Sequence, residues 1–122
     1  MKLLSSVYLL VSFVVSSMVL TSWAETMEEQ TPLWIDVRTE KEYRAEHVPD
    51  AIHIPYQEIT EGIKAVTQDK SAPIYLYCGS GRRAGKAKKA LEADGFTLVT
   101  NIGGLKQALQ KKSSDSNSEK NK

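Results

Sequence analysis

One side chain in this 122-residue chain stands out as a nucleophile: Cys78, the only cysteine, followed by Gly79-Ser80-Gly81-Arg82-Arg83. Two glycines in that run let the backbone curl tightly, so that successive N–H groups can point inward at one atom and form an anion-binding nest. The atom they would surround is the Cys78 sulfur. Arg82 and Arg83 add two fixed positive charges, and a helix starting after the loop would add the positive end of its dipole. All three effects favour thiolate over thiol, and such settings bring a cysteine pKa to roughly 3.5–7.5. A cysteine activated in this way needs no adjacent general base. That matters here, because neither His47 nor His53 is next to it in sequence.

The competing uses of a lone cysteine are an inert buried thiol and a link to a second chain; the neighbouring loop favours a reactive group instead. Loop length separates chemistries. Cysteine-dependent phosphatases and arsenate reductases use Cys-x5-Arg, with the arginine gripping a tetrahedral oxyanion; here that position is Ala84, and Arg83 comes one residue early. A six-residue cradle suits a sulfur atom better. No Cys-x-x-Cys or His-x-x-x-His pattern recruits a metal, and no Gly-x4-Gly-Lys loop recruits a nucleotide. No metal or cofactor is therefore expected.

Short apolar runs alternate with amphipathic segments, the pattern of strands and helices in an α/β sheet. Leu33 to Val37 reads as a buried strand. Thr39 followed by Glu42 is a capping box that starts a short helix through about Arg44. Ala51 to Ile54 is a second strand, and Ile59, Ile63 and Val66 share one face of a helix predicted over 56–66 despite Gly62. Ile74 to Tyr77 is a third strand that delivers Cys78 to its C-terminal end, where parallel sheets gather their ligands. Ala84, Ala87, Ala90 and Leu91 stripe the next helix, with Gly95 as its C-terminal stop. Thr97 to Val99 is a last strand, Gly103-Gly104 a tight turn, and Leu105 to Leu109 a final helical turn or two. Residues 111–122 contain no apolar side chain and are expected to be a disordered polar tail.

Composition permits one domain of ordinary soluble character, and a formal net charge of +1 supplies no field for nucleic acid or an anionic membrane. Met1-Lys2 precede an uncharged apolar stretch from Leu3 to Leu20, and Ser22-Trp23-Ala24 sets small residues where a signal peptidase reads. Residues 1–24 are thus expected to be a signal peptide, with 25–31 the leader of the mature chain and 32–110 its folded domain. The other reading of residues 3–20 is an uncleaved anchor, since about 20 apolar residues span a bilayer. Export makes the unpaired Cys78 more notable, because exported proteins normally use cysteines in pairs.

Three blocks now carry a resemblance. They are Trp34-Ile35-Asp36-Val37-Arg38 continuing through Glu42-Tyr43, Glu46-His47-Val48 and Ala51-Ile52-His53-Ile54-Pro55; the loop from Cys78 to Arg83; and Asn101-Ile102-Gly103-Gly104-Leu105. Together and in this order, they are similar to the single-domain rhodaneses, and within that family to its small periplasmic thiosulfate sulfurtransferases. The resemblance implies a rhodanese-like α/β fold, with a mainly parallel sheet of about five short strands and helices on both faces. It also implies a Cys78 persulfide that takes sulfur from thiosulfate or a similar donor and gives it to cyanide or a thiol. Gly79, Ser80, Gly81, Arg82 and Arg83 would bind the donor. Arg82 is expected to point into the loop, with Arg83 on the outside of the first helical turn. Asp36 and Arg38 would support the cradle from behind, while Glu42 and Glu46 are available to pair with Arg38 or Arg44. The implied protein is a periplasmic or secreted monomer with small-molecule partners, no nucleic acid, and no stable membrane association once the signal is removed. The alternative within the family is a non-catalytic module or a sulfur carrier. Gly79 replaces a larger side chain often found there, and Gln107-Ala108-Leu109 replace a tryptophan found in longer relatives.

Overall fold

A computed structural model of the chain describes residues 30–122, so the expected signal segment lies outside the described residues. Four strands, β1 (Leu33–Asp36), β2 (Ile52–His53), β3 (Ile74–Cys78) and β4 (Val99–Gly104), form one sheet in the order β2-β1-β3-β4. All three pairings are parallel. The helices are α1 (Glu40–Ala45), α2 (Ile59–Gly62), α3 (Arg82–Ala93) and α4 (Leu105–Lys120). The α/β class, the parallel sheet and the helices on both faces agree with the sequence reading. The sheet has four strands among the described residues, not five.

Strand alternation divides the core. Ile35, Val37, Leu76 and Cys78 face one layer with Ala84, Ala87 and Leu91 of α3, while Trp34 and Tyr77 face the other with Val48 and Ala108 of α4. Successive strand residues point to opposite sides, so Tyr77 and Cys78 belong to different layers although adjacent in sequence. Tyr77 is fully buried; its hydroxyl accepts the Val48 N–H at 3.0 Å, which makes burial of that polar atom tolerable.

Four local expectations change. The segment after Pro55 is not one helix: a 3-10 turn (Tyr56–Glu58), the single turn α2 and a second 3-10 turn (Ile63–Ala65) follow one another. Ile59 and Ile63 are buried as predicted, and Gly62 is pressed against Ile54, whose Cγ2 would lie 2.5 Å from any Cβ there. The last strand starts at Val99 and runs through Gly104, so the double glycine ends a strand; it pairs Tyr77 with Gly103 and Cys78 with Gly104.

The polar tail, expected to be disordered, continues α4 to Lys120. Buried Ala108, with Leu105 and Leu109 packed beside it, anchors the first turns, after which each added residue needs only one further hydrogen bond. Lys111 pairs with Asp115 at 3.2 Å and stands 5.0 Å from the Tyr75 ring centroid; Lys112 stands 5.6 Å from that of Trp34. These long stems give the polar sequence apolar surface to cover. The fourth change concerns Glu42 and Glu46, described with the site. Among the described residues no helix is long and apolar enough to cross a membrane.

Candidate active site

From β1 the chain moves outward in one direction to β2, and from β3 in the other to β4, so the strand order reverses between β1 and β3. Their C-terminal ends carry Asp36 and Cys78. Such a reversal opens a crevice at the strand ends.

Cys78 ends β3 and is fully buried. The loop after it turns at Gly81, whose φ of +95° is left-handed and disfavoured by any side chain, and α3 begins at the next residue. The turn brings the Gly81 amide to 2.9 Å from Cys78 Sγ. Burial pushes the thiol pKa up, but hydrogen bonds from the backbone amides of Ala84, Ser80, Gly81 and Arg83 outweigh it and leave the thiol below its ordinary value. Of the nest expected over Gly79 to Arg83, the Ser80, Gly81 and Arg83 amides act on the sulfur, and the first turn of α3 adds the Ala84 amide. Ser80 and Gly79 stand exposed on the outer side of the loop.

The two arginines sit opposite to the expectation. Arg82 is exposed and has no ion-pair partner among the described residues. Arg83 is the one electrostatically coupled to the sulfur: Glu42 first and Cys78 after it raise the guanidinium pKa against its partial burial, and its Nη1 and Nη2 donate to Glu42 Oε1 and Oε2 at 2.8 and 3.0 Å. Glu42 therefore pairs with neither Arg38 nor Arg44; Arg44 instead pairs with Glu40. The Arg83 hydrogen bonds, opposed by partial burial and aided by Thr39, pull the Glu42 carboxyl down to about 2. Glu42 is the third residue of the capping box on Thr39, as predicted, which fixes its backbone within reach of the loop. Gly79 leaves room for this pair, since a Cβ there would stand 3.1 Å from Arg83 Nη2 and 3.9 Å from Glu42 Oε2.

Behind the cradle, Asp36 and Arg38 form a buried ion pair with Nε at 3.0 and 3.1 Å from the two carboxylate oxygens and Nη2 at 2.7 Å from Oδ2. Arg38 Nη2 also donates to the Glu46 carbonyl at 2.6 Å, so Glu46 contributes its backbone and not its carboxylate. His53 Nε2 lies 2.7 Å from the Arg38 carbonyl, and His47 Nδ1 lies 2.8 Å from that of Tyr43; both histidines hold loops.

The end of β4 supplies supports that sequence reasoning did not assign. Asn101 Nδ2 donates to the Gly81 carbonyl at 2.8 Å while its Oδ1 accepts the Gly103 N–H at 3.0 Å. Gln107 Oε1 accepts the Gly104 N–H at 3.2 Å. Any Cβ on Gly104 would collide with the Gly79 carbonyl, and one on Gly81 would stand 3.2 Å from Gly103 Cα. Strand and loop thus meet backbone to backbone. The signal was present in the spacing Asn-x-Gly-Gly, but nothing local says which loop it braces.

A parallel sheet with its single cysteine nested at a strand-to-helix turn defines an α/β domain built around a stabilised thiolate, and its relatives name the class. The chain belongs to the rhodanese-like domain family, whose model matches residues 20–111. It is 44% identical over 79 residues to the thiosulfate sulfurtransferase PspE of Escherichia coli (strain K12), covering 65% of this chain and 76% of that protein. It is 35% identical over 68 residues to the putative sulfur carrier protein YrkF of Bacillus subtilis (strain 168), of which it spans only 36%. Among solved structures, a rhodanese with anions from E. coli superposes with a TM-score of 0.61 at 44% identity, covering 63% of this chain and 91% of that one.

Proposed function

We propose that this protein is an exported thiosulfate sulfurtransferase acting through a Cys78 persulfide. The observation that carries the reading is the convergence of backbone amides on one sulfur, with Gly81 N at 2.9 Å from Sγ. Donors aimed at a single atom stabilise negative charge where it accumulates, and they pay no reorganisation cost during reaction.

In the first step the Cys78 thiolate attacks the outer sulfur of thiosulfate. The Sγ–S bond forms as the donor's S–S bond breaks, and the electron pair leaves with sulfite. In the second step cyanide or a thiolate attacks the outer sulfur of the persulfide, and the pair of the broken Sγ–S bond returns to Cys78. No external oxidant or reductant is consumed. Arg83 is placed to meet the donor's sulfonate by charge-assisted hydrogen bonds, and the exposed Arg82 adds attraction from outside. Gly79, Ser80 and Gly81 shape the mouth, and Asp36 with Arg38 holds the end of β1 against it. Export rests on the Leu3 to Leu20 stretch and Ser22-Trp23-Ala24.

Intact-mass measurement after thiosulfate treatment tests the reading. The expected result is one added sulfur atom, lost on addition of cyanide and never acquired by Cys78→Ala. An unmodified wild-type protein, or the same adduct on the variant, overturns it. The similarity to a putative sulfur carrier supports a second reading with the same persulfide; it predicts stoichiometric loading without catalytic turnover to cyanide.

A further inference from the structure

The mouth of the site contains a carboxylate that the transfer chemistry does not require. Glu42 lies on α1, Arg83 on α3, and the pair is closed by two hydrogen bonds of 2.8 and 3.0 Å. Both side chains remain about one-third exposed, at 36% and 30%. They lie over Gly79, the first residue after the nucleophile. Arg83 has five N–H donors, and the carboxylate takes two of them. Glu42 also cancels most of the guanidinium's long-range field, which is the field that an approaching anion feels. Arg82 does not replace it, since it is exposed and screened by solvent.

We infer that Glu42 is a specificity-determining residue: by occupying Arg83 it disfavours doubly charged donors such as thiosulfate relative to organic persulfides whose leaving thiolate carries no further charge. The inference rests on the sulfurtransferase reading above and deepens it. With an organic persulfide, Cys78 thiolate attacks the outer sulfur of R–S–SH. The Sγ–S bond forms, the donor's S–S bond breaks, the proton stays on the transferred sulfur, and the electron pair of the broken bond leaves with RS⁻. This leaving group needs no sulfonate site and loses little from the carboxylate. Thiosulfate must share Arg83 with Glu42 and approach against its charge.

A purely structural pair and an electrostatic one predict different signs. If the ion pair only braces the loop, Glu42→Gln and Arg83→Gln damage the site alike. If Glu42 moderates Arg83, the two variants act in opposite directions. Glutamine at position 42 can still accept from Thr39 and complete the capping box, so the backbone of α1 stays in place.

The experiment measures kcat and KM with thiosulfate and with hydroxyethyl persulfide for wild type, Glu42→Gln and Arg83→Gln. It also follows the pH dependence of Cys78 alkylation by iodoacetamide in each. Glu42→Gln is expected to lower the thiosulfate KM about fivefold, the effect of one charge a few ångströms away near a protein surface after solvent screening. Its effect on hydroxyethyl persulfide should be less than about twofold by the same screening. Arg83→Gln should raise the thiosulfate KM, and the Cys78 titration should move down in the first variant and up in the second. Shifts of the same sign in both variants, or an equal change for both donors, overturn the inference. If wild type takes sulfur from neither donor, the sulfurtransferase reading fails, while the opposite alkylation shifts still decide the role of Glu42.

Discussion

The Gly81 amide lies 2.9 Å from the Cys78 sulfur, held there by a backbone turn with φ of +95° at Gly81. Strand β3 ends at Cys78 and α3 begins just after Gly81. The sulfur therefore receives the free amides of a helix start, the groups that have no partner within the helix.

Gly81→Ala tests that turn. A side chain in the left-handed region costs roughly 1–2 kcal/mol, and its Cβ would also press on Gly103 Cα at 3.2 Å. The variant should unfold at a lower temperature by several degrees. Its Cys78 should alkylate more slowly at neutral pH, because the displaced amide no longer favours the thiolate. Unchanged alkylation with unchanged melting would show that the turn is not what activates the sulfur.

Cys78 also makes stability depend on pH. Its folded pKa is lowered by backbone amides against the opposing effect of burial, so the unfolded chain holds the proton to higher pH than the folded one. The thiolate contribution is complete above the unfolded thiol pKa of about 8.5 and disappears as pH falls through the folded value. Urea unfolding of wild type and Cys78→Ala across pH 5 to 10 should show wild type gaining relative to the variant as pH rises. A flat difference would contradict the amide cradle.

Glu42 gives a second window at acid pH. Its carboxyl is held at about 2, chiefly by the Arg83 hydrogen bonds, against about 4.3 in an unfolded chain. The pair's contribution is present above the unfolded value and is lost as pH falls toward about 2. Partial exposure and screening keep it below about 1 kcal/mol. Wild type should exceed Glu42→Gln by that amount near pH 6, and the two should converge on acidification in urea titrations.

The Asp36–Arg38 pair predicts a larger effect. Arg38→Met removes the partner of a carboxylate with no exposed surface and leaves it charged in the core, at a cost of about 3–5 kcal/mol. Denaturant midpoints measure the loss. The fraction that remains folded should still load one sulfur, since neither residue touches Sγ. Full stability would mean that the pair is dispensable, and failure of the folded fraction to load would mean that it shapes the cradle directly.

Several features of this domain were legible without coordinates because their causes are local. The Thr39–Glu42 capping box depends on residues three apart, and it forms. The stripe of Ala84, Ala87 and Leu91 depends only on helical period, and those side chains are buried. Cys78 at a strand end followed by two glycines depends on neighbours within a few positions. The tail misled because polar composition predicts disorder only where nothing supplies a folded start; α4 supplies one through Ala108, and the lysine stems then cross Trp34 and Tyr75.

The partners of the charged groups were not legible. Glu42 and Arg83 are 41 positions apart, and Asn101 reaches Gly81 across 20. Several arginines are equally available to a glutamate in sequence, and only the fold, which brings Glu42 of α1 within hydrogen-bond reach of Arg83 at the start of α3, selects one. The amino-acid order by itself determined the cysteine at the strand end, the glycine turn that follows it and the α/β alternation, all products of short-range sterics and periodicity. The tertiary structure decided which arginine is coupled to the sulfur and which carboxylate pairs with that arginine, because an ion pair forms where folding brings charges within a few ångströms, whatever their separation along the chain.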